Sequence, residues 1–266
     1  MILPHLDPIA LSLGPIAIRW YSLAYIAGIL FGLFWIKKSN QKNKFLSEEA
    51  YDSWIVWIVL SVLLGGRFGY VFFYNFSYFF QNPLEIFAFW NGGMSFHGGL
   101  LGSILGMWFF AKKYKIEFLK LTDVLVVAAP VGLFFGRLAN FVNMELYGRV
   151  TDSKFGVIFP NGGPLPRHPS QIYEALLEGV LLFVILFSLE RFTKISKKSG
   201  ILSGLFLILY GSFRFLIENF REPDEQIGFI FFGNFLPEIT MGQLLSLPII
   251  LFGIFVILFA QKKRFS

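Results

Sequence analysis

The sequence contains no cysteine and only three histidines among its 266 residues. It can therefore form no disulfide, no cysteine metal site and no thiolate nucleophile of its own, so any thiol chemistry must use a cysteine that a partner brings. Charged residues are also scarce: they make up 15% of the chain, whereas hydrophobic residues make up 55% and the mean hydropathy is +0.63. This balance lies outside the range of ordinary soluble domains and predicts an integral membrane protein.

Crossing a hydrocarbon core about 30 Å thick requires about 20 apolar residues, and seven candidate segments predict an all-α integral membrane protein with about seven transmembrane helices. They are residues 17–36, 54–74, 96–111, 119–141, 171–190, 201–219 and 238–260, of which the third and the sixth are the shortest. No internal repeat is evident in the sequence, so we predict a single membrane domain over residues 1–266. The first 20 residues do not resemble a removable signal peptide, and the first helix is expected to stay as an anchor.

The positions of lysine and arginine predict the orientation. Fifteen of the 23 basic residues follow the first, third, fifth and seventh segments: Lys37, Lys38, Lys42, Lys44, Lys112, Lys113, Lys115, Lys120, Arg191, Lys194, Lys197, Lys198, Lys262, Lys263 and Arg264. Cationic loops stay in the cytoplasm, so the N-terminus is expected outside, the C-terminus inside, and the outer loops at about 77–93, 143–169 and 221–237. The net charge of +6 arises mostly from these basic cytoplasmic loops. It is expected to give some attraction to anionic lipid headgroups, and it implies no nucleic-acid partner.

Seven of the eight remaining basic residues are arginine. The eight are Arg19, Arg67, Arg137, Arg149, Lys154, Arg167, Arg214 and Arg221. Arginine grips phosphate or carboxylate through two parallel hydrogen bonds, whereas lysine acts as a point charge. Arg137 also ends a membrane-like run, where burying a cation costs roughly 2.5–3.5 kcal/mol on insertion scales. The predominance of arginine among these eight residues suggests an anionic ligand such as a lipid phosphate.

The segment GRLANFVNMELYG, residues 136–148, is the first candidate site. If the helix continues, Arg137, Asn140 and Asn143 lie near one face at three-residue spacing. An arginine beside two amides is suited to phosphate oxygens, and Glu145 is placed to fix the guanidinium. The alternative is a polar cluster that joins helices.

The segment YGSFRFLIENFREPD is the second candidate. Arg214, Glu218 and Arg221 are four and then three residues apart, which puts them on one helical stripe. Glu218 is expected to neutralise one arginine and leave the other for an anion. The alternative is a salt-bridge ladder that closes the sixth helix.

His97 lies in GGMSFHGGLLG, at the start of the third apolar segment. A histidine can accept a proton near neutral pH, but a single histidine is more often structural. The nearby stripe of Gly98, Gly102 and Gly106 is likewise more typical of helix packing than of a ligand site.

The segment RHPSQIYE opens the fifth apolar segment and is interpreted as structural. Ser170 is expected near the helix cap and Glu174 is expected to face the bundle. Arg167 and Glu174 are possible partners of the site residues.

Two further motifs, RWYS and GGRFGY, place an arginine near a tyrosine. They contain Arg19 with Tyr21 and Arg67 with Tyr70. Either pair is consistent with anchoring at the membrane boundary; together with the other arginines they suggest polar groups that converge from several helices.

These motifs, taken in order along nearly the whole chain, closely resemble the bacterial prolipoprotein diacylglyceryl transferases. The resemblance implies a seven-helix enzyme of the bacterial inner (cytoplasmic) membrane. Its substrates would be phosphatidylglycerol and a preprolipoprotein whose signal peptide carries a lipobox cysteine. The diacylglyceryl group would move to the cysteine thiol, forming a thioether and releasing glycerol 1-phosphate.

The resemblance also implies roles for individual residues. The expected catalytic residues are His97, as general base, and Arg137 and Arg214, which would hold the phosphate. The expected substrate-binding residues are Tyr21, Asn140, Glu145, Gly148, Glu218 and Arg221. No cofactor and no metal is implied. Met144 stands where a smaller residue is expected.

Two other classes of function remain open at this point. A lipid or anion transporter would also need an arginine-lined cavity, although the chain shows no repeats. An intramembrane protease is disfavoured because the sequence has no cysteine, no evident serine motif and no paired transmembrane aspartates.

Overall fold

A computed structural model describes residues 7–14, 16–89, 92–223, 229–230 and 239–262 of the chain. Within these residues the structure is mostly helical. The elements are β1 (Ile9–Leu13), β2 (Ile16–Arg19), α1 (Trp20–Asn43), α2 (Glu48–Phe73), α3 (Phe76–Gln81), a 3₁₀ segment (Pro83–Phe87), α4 (Phe96–Lys113), α5 (Phe118–Val142), a 3₁₀ turn (Pro160–Gly162), α6 (Ser170–Glu174), a π-helical segment (Ala175–Leu181), α7 (Leu182–Phe192), a 3₁₀ turn (Ile195–Lys197), α8 (Ile201–Ile217), β3 (Phe229–Ile230), β4 (Ile239–Thr240) and α9 (Met241–Lys262).

Five helical segments have the length and apolar composition to cross a membrane. They are Trp20–Asn43, Glu48–Phe73, Phe118–Val142, Ser170–Phe192 and Met241–Lys262. The third and sixth predicted spans correspond to α4, with 18 residues and two lysines in its last turn, and to α8, with 17 residues. A multi-pass helical membrane protein is thus supported, and the number of seven spans stays a prediction.

The first predicted span, at about residues 17–36, starts slightly later in the structure. Residues 17–19 belong to β2, which pairs antiparallel with β1, and α1 begins only at Trp20 and continues to Asn43. A second short antiparallel pair joins β3 to β4. Both hairpins were absent from the all-α prediction. Most of the predicted outer loop 221–237 lies outside the described residues.

The chain divides into two compact units, Lys37–Leu121 and Met1–Ile36 with Thr122–Ser266. In the unit of residues 37–121, α2 and α4 pack through glycines. A Cβ added to Gly98 would come within 2.8 Å of Gly69 Cα, and one added to Gly102 would come within 2.7 Å of Gly65 Cα. The predicted packing role of this glycine stripe is confirmed, because only glycine allows the two backbones to approach so closely.

In the other unit, α1, α5, α7 and α8 share a core. Its buried members are Trp35, Val127, Ala128, Leu182, Leu186 and Leu202. Lipid tails are as apolar as leucine, so close packing, together with polar contacts between helices, is what holds these helices side by side. The core fixes the three helices α5, α7 and α8 close to the polar residues described below.

The start of α8 is tied to α5 by Asp123. Its carboxylate accepts hydrogen bonds of 2.7 Å from the backbone N–H groups of Gly200 and Ser203, and one of 2.6 Å from the Ser203 hydroxyl. A carboxylate is favourable there because the first N–H groups of a helix lack backbone partners and carry partial positive charge. This cap sets the position of α8, whose other end carries Arg214.

Candidate functional site

Arg137 lies near the end of α5 and pairs with two glutamates of the segment 170–181. Its Nε is 3.0 Å from Glu174 Oε2, and its Nη2 is 3.6 Å from Glu178 Oε2. Both glutamate side chains are fully buried, whereas 18% of the Arg137 side chain is exposed. The expectation that Glu145 fixes this guanidinium is therefore wrong.

Glu174 also holds the two arginines of the second motif. Its Oε1 accepts hydrogen bonds of 2.8 Å from Arg214 Nη1 and 2.9 Å from Arg221 Nη1. One carboxylate thus contacts three guanidinium groups. The sequence indicated that Glu174 faces the bundle, which is confirmed, and the structure shows that its buried carboxylate joins three arginines.

Glu218 is the third carboxylate of this group. Its Oε1 pairs with Arg214 Nη2 and lies 3.2 Å from Arg221 Nε. The predicted pairing of Glu218 with Arg214 is confirmed, whereas the predicted helical stripe is not continuous, because α8 ends at Ile217 and Arg221 lies beyond it. The expectation that Glu218 would leave one arginine unpaired is wrong, because it contacts both.

We refer to Arg137, Arg214, Arg221, Glu174, Glu178 and Glu218 as the ion cluster. Its three positive and three negative formal charges cancel. Buried ion pairs require good geometry and further hydrogen bonds to offset their loss of hydration, and the two hydrogen bonds to Glu174 Oε1 supply part of this. Sequence reasoning did not identify Glu178. The available signal was a second glutamate one helical turn after Glu174 inside an apolar run.

The π-helical segment brings both glutamates to α5. It begins directly after Glu174 and contains Glu178 and Gly179. A Cβ added to Gly179 would come 2.7 Å from the Cβ of Phe134 on α5. The glycine therefore permits close approach, and irregular helical turns of this kind are frequent at functional sites.

The residues after α5 form a tight turn with its own polar contacts. Glu145 Oε1 accepts hydrogen bonds from Asn140 Nδ2 at 2.8 Å and from Asn143 Nδ2 at 3.3 Å. The helix ends at Val142, but Asn143 still lies on the same side as Asn140, as predicted, because both amides contact the same Glu145 oxygen and line the same cleft. Met144 has a φ of +55° and is buried against Val157 and Phe159. A left-handed φ favours glycine, which explains why a smaller residue is expected at this position.

The start of the helical segment 170–192 holds this turn in place. Gln171 Nε2 donates a 2.7 Å hydrogen bond to the Glu145 carbonyl, and Ser170 Oγ donates a 3.0 Å bond to the Leu146 carbonyl. Ser170 lies next to the helix cap, as predicted: the cap position is Pro169, and the serine hydroxyl bonds to the turn. The motif RHPSQIYE is therefore structural, as predicted, and it also supplies Glu174.

Gly148 lies where the turn meets the end of α8. Its N–H donates to the His168 carbonyl at 2.8 Å, and a Cβ there would come within 2.8 Å of His168 Cβ and even closer to the Phe220 carbonyl oxygen. Arg149 completes the contact through hydrogen bonds to the Arg221 carbonyl at 2.7 Å and the Glu218 carbonyl at 3.2 Å. Close packing therefore explains why residue 148 has no side chain. The predicted contact of Gly148 with substrate stays a prediction.

An open cleft of about 490 Å³ lies beside this turn. It is lined by Pro8, Arg19, Tyr21, Ser22, Asn140, Asn143, Glu145 and Leu146. Three of the predicted substrate-binding residues, Tyr21, Asn140 and Glu145, thus meet in one cavity. Asn140, which lines the cleft, lies one helical turn after Arg137 of the ion cluster. Both residues are on α5, so this helix connects the cleft with the ion cluster. Amide, hydroxyl, carboxylate and guanidinium groups together are suited to a polar headgroup that carries hydroxyls and an anion.

Arg67 has a different role from the arginines of the ion cluster. It is 3% exposed, and its guanidinium donates to backbone carbonyls, including those of Glu85 at 2.6 Å, Ile86 at 2.8 Å and Ala88 at 3.2 Å. The ring of Phe79 lies 5.0 Å from its central carbon. Arg67 therefore organises the segment between α2 and α4, and its own contacts give it a structural role.

His97 lies in the first turn of α4 and is exposed. The preceding Ser95 is the N-cap: its hydroxyl accepts from Gly98 N at 3.2 Å, and its own N–H donates to the Gly66 carbonyl at 2.9 Å. This cap fixes the backbone of the motif that carries the histidine. His97 belongs to the unit of residues 37–121, and its role as a base stays a prediction.

Comparison with known proteins places these residues in a family. The family model described as prolipoprotein diacylglyceryl transferase matches residues 8–259. A protein of Ehrlichia canis named phosphatidylglycerol–prolipoprotein diacylglyceryl transferase is 52% identical over 98% of this chain and 99% of its own length. Proteins of the same name from Rickettsia felis, 49% identical over 99% and 100%, and from Rhodospirillum rubrum, 50% identical over 98% and 94%, are similarly close. A match of this extent means that the chain belongs to the prolipoprotein diacylglyceryl transferase family.

Proposed function

We propose that this protein transfers the diacylglyceryl group of phosphatidylglycerol to the lipobox cysteine of a preprolipoprotein. The cysteine sulfur attacks a glycerol carbon, a carbon–sulfur bond forms, and the bond from that carbon to the phosphate oxygen breaks. The products are a thioether-linked prolipoprotein and glycerol 1-phosphate. The names of its full-length relatives support this reaction, and the lack of cysteine in the chain is compatible with it because the nucleophile belongs to the substrate.

The observation that carries the proposal is the ion cluster, with Arg137 and Arg214 joined by Glu174. Each guanidinium has five N–H donors, so its contacts to carboxylates leave donors for phosphate oxygens. Both side chains are 18% exposed, which leaves part of each accessible. Negative charge grows on the phosphate as the carbon–oxygen bond breaks, and fixed cations stabilise it.

The remaining members of the cluster keep these two arginines in position. Glu174 contacts both guanidinium groups, and Glu218 contacts Arg214. Arg221 is only 8% exposed and lies against both carboxylates, which favours a supporting role over direct contact with lipid. Because the geometry exists before substrate arrives, little reorganisation is needed during the reaction.

The cleft beside Asn140 is the proposed place of the polar headgroup. Asn140 and Glu145 offer an amide and a carboxylate for glycerol hydroxyls, and Tyr21 offers a phenol. Since Asn140 follows Arg137 by one turn, a headgroup in the cleft is compatible with a phosphate held by Arg137.

The thiol of the substrate must lose its proton before it can attack. A free cysteine has a pKa of about 8.5, so most of it is protonated at neutral pH. His97 is the proposed general base, because a neutral imidazole nitrogen can accept a proton and the Ser95 cap holds the backbone of its motif in place.

The same proposal includes the placement of the chain in the bacterial inner membrane. Seven spans with the N-terminus outside agree with the distribution of lysine and arginine, and α4 and α8 would then be the two short spans. On that topology the residues 143–169 lie on the outer side, as one part of a single membrane domain.

A reconstituted assay tests the reaction. The purified protein in phosphatidylglycerol nanodiscs is mixed with a synthetic lipobox peptide, and mass spectrometry follows the peptide. We expect a diacylglyceryl adduct on cysteine together with glycerol 1-phosphate, and no adduct on a peptide with serine in place of cysteine. Lipid movement between leaflets without a thioether would favour a transporter, and a peptide that is cut but unlipidated would favour a protease.

A further inference from the structure

Glu178 differs from the other carboxylates of the ion cluster in its contacts. Its side chain is fully buried, yet among the residues that the structure describes neither of its oxygens has a hydrogen-bond partner. Its nearest cationic atom is Arg137 Nη2, 3.6 Å away. A buried carboxylate without hydrogen bonds is costly when charged, and protonation removes much of this cost.

The formal charges of the ion cluster bear on the protonation of this carboxylate. Three arginines and three ionised glutamates are neutral in sum, so a lipid phosphodiester would bring a net charge of −1 into a partly buried region. One proton on a glutamate changes the sum to +1, which matches the phosphate. Charge matching is valuable here because Coulomb interactions are stronger in a medium of low dielectric constant.

Glu178 is the carboxylate that accepts this proton at the smallest cost in contacts. Protonating Glu174 would weaken its bonds to Arg137, Arg214 and Arg221, and protonating Glu218 would weaken its pairing with two arginines. Within the described residues Glu178 has no hydrogen bond to lose and has only one ion pair, the 3.6 Å contact with Arg137. The groups that act on it electrostatically are Arg137 from α5, Arg214 and Tyr210 from α8, Arg221 after α8, and Glu174 from its own helix.

We propose that Glu178 is a positioning residue that takes up one proton when the phosphate of an anionic lipid binds at Arg137. This inference rests on the proposed function, since it assumes that the ion cluster holds the lipid phosphate. The proton moves from solvent to the Glu178 carboxylate as the phosphodiester enters, and it returns to solvent when the phosphate product leaves.

Proton uptake can be counted by isothermal titration calorimetry. A short-chain phosphatidylglycerol is titrated into the detergent-solubilised full chain in buffers of different ionisation enthalpy, from about pH 5.5 to about pH 9. In the pH range where Glu178 is ionised in the lipid-free protein, we expect uptake of about one proton and a Kd that rises about tenfold per pH unit. At lower pH, where Glu178 already carries the proton, uptake falls to zero and the Kd becomes constant. The lipid phosphodiester stays singly charged throughout.

Two variants at position 178 test whether Glu178 is the group that takes up the proton. Glu178→Gln is neutral at every pH, so it should bind without proton uptake and with a Kd that does not change over this range. Glu178→Asp keeps a carboxyl and should retain the uptake. The matched control is Glu49→Gln, which makes the same change at an exposed position in the first turn of α2 and should behave like the unmodified protein.

Two results would overturn the proposal. One is binding of phosphatidylglycerol by the unmodified protein without proton uptake at any pH, which decides the matter even if Glu178→Gln fails to fold. The other is undiminished uptake in a folded Glu178→Gln variant. A protein that shows the uptake but forms no thioether would refute the proposed transferase reaction and leave Glu178 in its role. Normal transfer without uptake would refute the role of Glu178 alone.

Discussion

Thr240 Oγ1 donates a hydrogen bond of 2.9 Å to Glu218 Oε2, and both residues are buried. The same hydroxyl accepts a 3.2 Å bond from the Gln243 N–H in the first turn of α9. The carboxylate that pairs with Arg214 is thus held by a neutral residue at the start of a different helix. The ion cluster consequently depends on where α9 begins, although α9 contributes no charge to it.

Gly242→Ala tests this dependence. A Cβ at Gly242 would come within 2.8 Å of Glu218 Oε2 and closer still to other atoms of that carboxyl. The end of the glutamate can move aside, so we expect little loss of stability but a displaced Arg214. A shift of about 1 Å in a site can lower turnover by about 100-fold, and a transfer assay with a lipobox peptide measures it.

The control for this substitution is Gly32→Ala, since nothing lies within 4 Å of a Cβ at that position. It should retain normal transfer. If Gly242→Ala were folded and equally active, the contact between α9 and Glu218 would have no part in placing the arginine.

Arg137→Lys separates charge from geometry. Lysine keeps the positive charge, but its ammonium group cannot contact Glu174, Glu178 and a phosphate with the planar fork of a guanidinium. We expect a loss of turnover on the order of 100-fold or more, comparable to the removal of one donor to a developing oxyanion, while the protein still inserts into the membrane. Initial rates with phosphatidylglycerol vesicles and a lipobox peptide measure the effect.

Arg191→Lys is the matched control, because Arg191 is exposed in the last turn of α7. Its rate should equal that of the unmodified protein. A near-normal rate for Arg137→Lys would remove the two-point contact with phosphate from the mechanism.

Much of the ion cluster could be predicted from local spacing. Arg214, Glu218 and Arg221 follow one another at helical intervals, and helical geometry alone places them on one stripe. Arg137 stood out because a cation in an apolar run requires a partner. The packing role of the glycine stripe of α4 could also be predicted, since small residues at four-residue intervals permit close packing of helices.

The partners of these residues could not be predicted, because they come from distant parts of the chain. Glu174 lies 37 residues after Arg137 in the sequence, and the choice between Glu145 and Glu174 depends on how the turn at 143–148 folds back. Gln171 holds that turn through the Glu145 backbone carbonyl, a contact with no periodicity to reveal it. The π-helical segment that places Glu178 likewise departs from the regular period on which such predictions rest.

His168 predicts a pH dependence of stability outside the membrane spans. Burial lowers the pKa of His168 below its usual value of 6.5, and its ring packs against Tyr173 and Phe220. The unfolded chain therefore binds a proton at higher pH than the folded protein does. The contribution of His168 to stability should be constant above about pH 6.5 and should decrease as the pH falls through the interval between the unfolded and folded pKa values of this residue.

Thermal unfolding in detergent at a series of pH values measures this effect. His168→Gln should lose the part of the decrease that depends on the histidine, although its midpoint at neutral pH will be lower because the ring contacts are gone. An identical pH dependence in both proteins would assign the decrease to other groups.

The role of His97 is tested by the shape of the pH profile rather than by the rate at one pH. If His97 removes the thiol proton, the transfer rate should rise as increasing pH converts the imidazole to its basic form, and should then level off. His97→Gln keeps similar size and some hydrogen bonding but cannot accept the proton. We expect it to be slow at neutral pH and to recover partly as the pH approaches about 8.5, where the thiol itself ionises. Ser95 remains free to cap α4 in this variant, so the helix start is preserved. Normal activity of His97→Gln across neutral pH would exclude His97 as the base and would move the search to the groups around the cleft, of which Glu145 is the carboxylate.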